Sequence, residues 1–226
     1  MSLNPQLVEG TILNRIETGE THLRIYLFSG KCGLQKVLLR VSKGNRSHPP
    51  PDLFDNVEFS LNRKSDNSGL PFVSDFQILK KRPELARNHQ CFYYASKMAR
   101  FYLDNGTHLQ DTIPKEKLLL RSLDALVQGY NPDIVWFKTV FRFGRSEGLP
   151  VEQDWLTNLS KPDHDLGMKI LKTRVSEQNP PANRVKHLIH SFSVWLNSET
   201  ELRCKTEKCI LKLMINSLPN VFSFHK

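Results

Sequence analysis

Between Arg24 and Pro51 the chain carries Arg24, Lys31, Lys36, Arg40, Lys43 and Arg46, and neither an Asp nor a Glu. Cations gathered without counter-charges on a short β-rich stretch create a local positive potential. The chemistry this supports is the binding of a polyanion, of which nucleic acid is the commonest. The alternative is a solvated sheet face whose charges serve solubility alone. Arg15, on the strand before, is a further candidate contact. Arg24 alternates with Tyr26 and Phe28, so one strand face offers a cation and two aromatic rings, opposite the Leu23, Ile25 and Leu27 face. The competing reading packs one face inside a barrel and the other beneath a second domain.

No comparable set of catalytic groups occurs. Gly144-Arg145-Ser146-Glu147-Gly148 lacks the lysine and preceding strand of a phosphate-binding loop, and no Gly-x-Ser-x-Gly elbow is present. Asp163-His164-Asp165 has metal-capable groups, but neighbouring side chains on a helix or turn diverge, and acidic charge at a helix start is the simpler account. Cys204 and Cys209, spaced Cys-x4-Cys, could join His187 and His190 in a zinc site, but buried structural cysteines and surface histidines are the simpler account. The residues therefore predict a binding protein and not an enzyme, with neither metal nor cofactor.

These side chains need elements to hold them, and composition bounds the choice. The chain has 226 residues, 32 basic against 23 acidic, for a net charge of +9. A hydrophobic share of 39% is ordinary for a folded protein and argues against disorder. No apolar run approaches the ~20 residues that cross a bilayer. The N-terminus lacks the basic start and apolar stretch of a signal peptide, so a cytoplasmic location is expected, with the four cysteines as thiols.

Residues 1–80 read as five short strands: Leu7 to Ile16, Leu23 to Phe28, Leu34 to Val41, Val57 to Leu61 and Phe72 to Leu79. Ser29-Gly30-Lys31-Cys32-Gly33 and Asp66-Asn67-Ser68-Gly69 supply hairpin turns. This pattern predicts a small barrel of the OB type, although an SH3-like barrel would look much the same. After Lys80-Lys81-Arg82-Pro83 the period becomes helical, so residues 81–226 are expected to form an all-α domain. One helix carries Phe92 to Tyr102 and ends near Asn105-Gly106. A second carries Leu119 to Val127, stopped by Gly129. Pro132 opens a third, running before Gly148-Leu149-Pro150. Further helices are predicted over about Leu166 to Val175, Ala182 to Leu196 and Lys205 to Leu218.

With a barrel and a helical domain in this order, the chain resembles the RecO family of bacterial DNA-repair and recombination mediators. The first motif is a strand, a Glu-containing turn, a strand ending in an apolar-Phe pair, a Gly turn and a strand leading to Lys-Gly-x-Arg. Here it reads Gly10-Thr11-Ile12-Leu13-Asn14-Arg15-Ile16, Gly19-Glu20-Thr21, Leu23 to Phe28, Gly30-Lys31-Cys32-Gly33 and Lys43-Gly44-Asn45-Arg46-Ser47. The second is similar to the family's long helix with a Gly-x-x-Pro type stop: here Trp136 to Pro150, with the stop one residue shorter as Gly148-Leu149-Pro150. The resemblance covers nearly the whole chain in segment order. One departure matters: many members carry a four-cysteine zinc module after the stop, whereas Val151 to Asn179 contains no cysteine.

The resemblance implies a non-enzymatic, nucleoid-associated protein that binds single- and double-stranded DNA and anneals strands. It also implies a RecR-like partner, contact with the C-terminal tail of single-stranded DNA-binding protein (SSB), and help in loading the RecA recombinase. Lys31, Lys36, Arg40, Lys43 and Arg46 are then the expected phosphate contacts, with Arg15 and Arg24 behind them. Lys138, Arg142 and Arg145, along the helix opened by Pro132, are the expected cationic rim for the acidic tail. The reading from another class is a basic adaptor that binds an acidic protein without nucleic acid.

Overall fold

The computed structural model describes residues 6–41, 49–62, 69–107 and 109–204. They fall into two compact units that meet in sequence between Arg82 and Pro83. Lys43, Arg46, Cys209, most of the Asp66–Gly69 turn and the helix expected over Lys205 to Leu218 lie outside the described residues.

In the first unit, strands β1 (Gln6–Thr18), β2 (His22–Ser29), β3 (Gly33–Arg40), β4 (Asn56–Asn62) and β5 (Phe72–Lys80) close into a barrel in the order β1-β2-β3-β5-β4. All pairs are antiparallel except β3 with β5, where Leu38 and Leu39 run parallel to Phe72 and Val73. This is the OB-type arrangement. The alternation visible in the sequence fills the interior: Val8, Ile12, Ile25, Leu27, Val37, Leu39, Val57, Phe59, Leu61 and Val73 form one buried cluster. An irregularity between Ile12 and Asn14 shifts the register of β1 against β2.

Gly10 marks the closest backbone approach in the barrel. A Cβ built there would lie 2.7 Å from the Phe28 carbonyl oxygen, so only glycine fits. The segment before β4 closes onto β1: the Phe54 amide donates to Ile12 O at 2.9 Å, and the Ile12 amide donates to Asp55 O at 3.0 Å. Phe54 holds a left-handed backbone (φ 67), strained for a residue with a Cβ. Its carbonyl accepts from the buried Arg82 guanidinium at 2.7 Å, which helps fix that geometry.

The second unit contains α1 (Glu84–Arg87), α2 (His89–Asn105), α3 (Ile113–Val127), α4 (Pro132–Ser146), α5 (Lys161–Lys172) and α6 (Ala182–Glu199). Asn88 caps α2, its side-chain oxygen accepting from the Gln90 and Cys91 amides. Asn131 caps α4 in the same way through Asp133 and Ile134, with Pro132 in the first turn. Helix α4 is buried continuously from Asp133 to Phe141, as befits the central helix of a bundle. Its Trp136, Phe137, Phe141 and Phe143 interlock edge-on or tilted with Phe101, Tyr102, Trp155 and Phe192. A π-helical turn, Val151–Leu156, delivers Trp155 to this cluster.

Candidate nucleic-acid interface

The barrel ladders sort the sequence-predicted cations by face. Residues paired across antiparallel strands project to the same side. Leu23, Ile25 and Leu27 point inward, so His22, Arg24 and Tyr26 point outward, together with their β3 partners Arg40, Leu38 and Lys36. Strand β1 extends each row: Thr18–His22–Arg40, Ile16–Arg24–Leu38 and Asn14–Tyr26–Lys36. The parallel pairing of Leu38 with Phe72 brings β5 to the same face, where the Phe72 ring meets His22 edge-on at 6.1 Å between centroids.

Four predicted contacts therefore belong to one structure. Arg24, Lys36 and Arg40 share the outer face of β2 and β3, and Lys31 is exposed in the turn that joins these strands. Lys36 Nζ sits 5.6 Å from the centre of the Tyr26 ring, a cation–π contact that joins charge and π surface in one row. Among the described residues none of Arg24, Lys31, Lys36 and Arg40 has a carboxylate partner. The buried Nε of Arg24 has no hydrogen-bond partner among them either.

Two expectations for the barrel need correction. Phe28 lies on the outward side of β2, but its ring is fully buried (0% exposed), so it offers no stacking surface. Arg15 pairs with Ile25 and so projects to the other side of the sheet from Arg24. Its guanidinium is held by Asp52 at 3.2 Å and donates to Pro51 O at 3.2 Å. The sequence reading missed His22 and Phe72. His22 begins its strand beyond the apolar alternation, and Phe72 reaches the face only through a pairing between strands far apart in sequence.

The helical trio is divided by burial. Lys138 is 5% exposed, not a rim residue. Its ammonium donates to Ile170 O at 2.8 Å and to Thr173 O, capping the carbonyl end of α5. Burial, aided by the nearby charge of Arg142, pulls its pKa from 10.5 down to about 8. Arg142 and Arg145 are exposed, and Arg145 pairs with Glu152 at 3.0 Å.

The remaining sequence candidates have structural duties. Asp163 accepts from the Arg184 guanidinium at 2.9 Å and from Ser160 Oγ at 2.8 Å, tying the start of α5 to α6. Those bonds hold its carboxyl below the usual range. The Cys204 thiol is buried, which raises its pKa, and lies 3.4 Å from Ser193 Oγ. Among the described residues no three His, Cys, Asp or Glu side chains are grouped to hold a metal ion. No helix among them is long and apolar enough to cross a membrane. Compared with known families and with curated proteins, the chain matches no family model and no curated sequence.

Proposed function

We propose that this protein is a non-enzymatic nucleic-acid-binding protein that holds DNA on the outer face of β2 and β3 and promotes strand annealing. One observation carries the reading. An OB-type barrel presents three parallel rows on this face, and they place Arg24, Lys36 and Arg40 among Tyr26, His22 and Phe72 with no carboxylate partner for the three cations among the described residues. OB barrels bind single strands by setting phosphates on cations and bases on aromatic rings. Screening phosphate charge on such a surface lets complementary strands approach one another. A place in recombinational repair, with a RecR-like partner, the SSB tail and RecA loading, rests on the RecO resemblance alone.

The experiment is a titration of labelled single-stranded and duplex DNA over a range of salt, with an annealing readout. Replacing Arg24, Lys36 and Arg40 together by Ala should lower the salt slope by about 2, at roughly 0.7 per single-strand phosphate contact. Tyr26→Ala should cost about 1–3 kcal/mol of single-strand affinity, as expected for one stacked base, with Tyr26→Phe close to wild type. An unchanged slope in the triple variant refutes the site. An acidic peptide that binds undisturbed by excess DNA, with no DNA binding at low salt, would favour the adaptor reading instead.

A further inference from the structure

The end of α5 and the adjoining stretch of α4 form a second group of cations that the barrel reading does not use. Residues 166–176 contain Lys169, Lys172 and Arg174 and no acid. All three are exposed, as is Arg142 on α4. Lys138, one helical turn before Arg142, reaches the carbonyls of Ile170 and Thr173, so this part of α4 abuts the end of α5.

Cations near a helix C-terminus often serve its unpaired carbonyls. Here that task is already done from inside. The Ile170 and Thr173 carbonyls accept from the buried Lys138 ammonium, and from the Gln178 amide at 2.9 and 2.7 Å. The Lys169 carbonyl accepts from the Thr173 amide. Among the described residues Arg142, Lys169, Lys172 and Arg174 have no carboxylate partner. Four like charges around one helix end repel one another, and an external anion relieves that repulsion.

The surroundings select the kind of anion. A peptide that docks by an apolar residue needs an apolar floor within a charged rim. The large exposed hydrophobic residues among those described are Leu7, Ile16, Leu79, Ile113 and Val194, none of them on α4 or between residues 161 and 178. Lys169 and Lys172 stand one turn apart on one helix face, and Arg142 and Arg174 supply forked donors suited to phosphate oxygens. We propose that Arg142, Lys169, Lys172 and Arg174 form a second phosphate-binding surface, which takes the backbone of a nucleic-acid strand independently of the barrel face. The proposal rests on the nucleic-acid reading of the protein. A chain with two such surfaces holds two strands at once, which is what annealing requires.

The test uses the full chain with labelled poly(dT), which cannot pair with itself, over a range of salt. Four proteins are compared: wild type, Arg142→Ala/Lys172→Ala/Arg174→Ala, Arg24→Ala/Lys36→Ala/Arg40→Ala, and the combination. A long poly(dT) strand can engage both surfaces of one chain, so the first triple variant should lower the salt slope by about 2, and the combination by about 4, at roughly 0.7 per phosphate. Annealing of complementary strands should fall in each triple variant. Arg142, Lys172 and Arg174 are exposed, so far-UV circular dichroism should stay at wild type and separate lost binding from lost fold. A wild-type slope in the Arg142 variant, alongside a lowered slope in the barrel variant, overturns this proposal and leaves the barrel reading intact. The reverse pattern keeps the second surface and refutes the barrel one. Competition by oligoglutamate as effective as by unlabelled poly(dT) at equal charge overturns the assignment to nucleic acid.

Discussion

Replacing Lys138 by Met should change how stability depends on pH, by an amount that follows from the site. The ammonium is almost wholly buried and contacts two carbonyls, and its pKa falls from 10.5 to about 8. Below pH 8 both folded and unfolded chains are protonated at this position, and the folded chain bears the cost of burying the charge. Between about 8 and 10.5 the unfolded chain binds more protons, so this group makes stability rise with pH across that window. At 1.36 kcal/mol per pH unit, the wild type should gain about 2–3 kcal/mol between pH 7 and 10 relative to the Met variant. Gln178 donates to the same two carbonyls, so both keep a partner after the substitution. Urea unfolding of both proteins at a series of pH values reads the difference, and the other titrating groups cancel. Profiles that stay parallel to within a few tenths of a kcal/mol would refute the assignment of a desolvated, largely protonated ammonium to this site.

Gly10→Ala should destabilise the barrel by about 1–3 kcal/mol, because the new methyl meets the Phe28 carbonyl at 2.7 Å; thermal unfolding checks this. Glu147→Gln should cost about 1–3 kcal/mol, since Lys115, only 2% exposed, would keep the Asp111 carbonyl and the Phe143 ring but lose its carboxylate. Glu147 is partly exposed, which holds the loss below that of a fully buried pair, and urea unfolding measures it. Arg15→Ala should leave the salt slope of DNA binding at wild type, because that guanidinium is held by Asp52 and the Pro51 carbonyl. A lowered slope in this variant would draw Arg15 into the interface.

What was legible in the sequence was mostly local. Strand alternation identified Leu23, Ile25 and Leu27 as the inward set of β2, and the ladders agree. Pro132 announced the start of α4 because a proline's missing N–H is harmless in a first turn. Helix α5 begins at Lys161, earlier than the expected Leu166, because its first turn is polar and lacks the apolar period that reveals a helix. The misplaced residues share one cause. The stripe formed by Lys138, Arg142 and Arg145 follows from helical spacing, but what covers its first member arrives from residues 170–178. Phe72 joins the barrel face through a parallel pair with β3, and nothing in its own segment indicates that neighbour.

The net charge of +9 is a poor guide to function until each cation is assigned a task. Arg82 holds the strained Phe54 carbonyl, Arg15 closes on Asp52, and Lys115 and Lys138 saturate carbonyls inside the helical unit. Arg100, Arg145 and Arg184 are matched by Asp104, Glu152 and Asp163. Those charges would be present in a protein that bound nothing. Two of the cations on the outer face of β2 and β3 have no such duty: Lys36 and Arg40 are exposed, and the interior of their strand is filled by Val37 and Leu39 whichever residues stand outside. A side chain that neither packs nor pairs with a carboxylate can be replaced without loss of fold. Binding and stability should therefore separate at these positions and fail together at Gly10, Lys115 and Phe54.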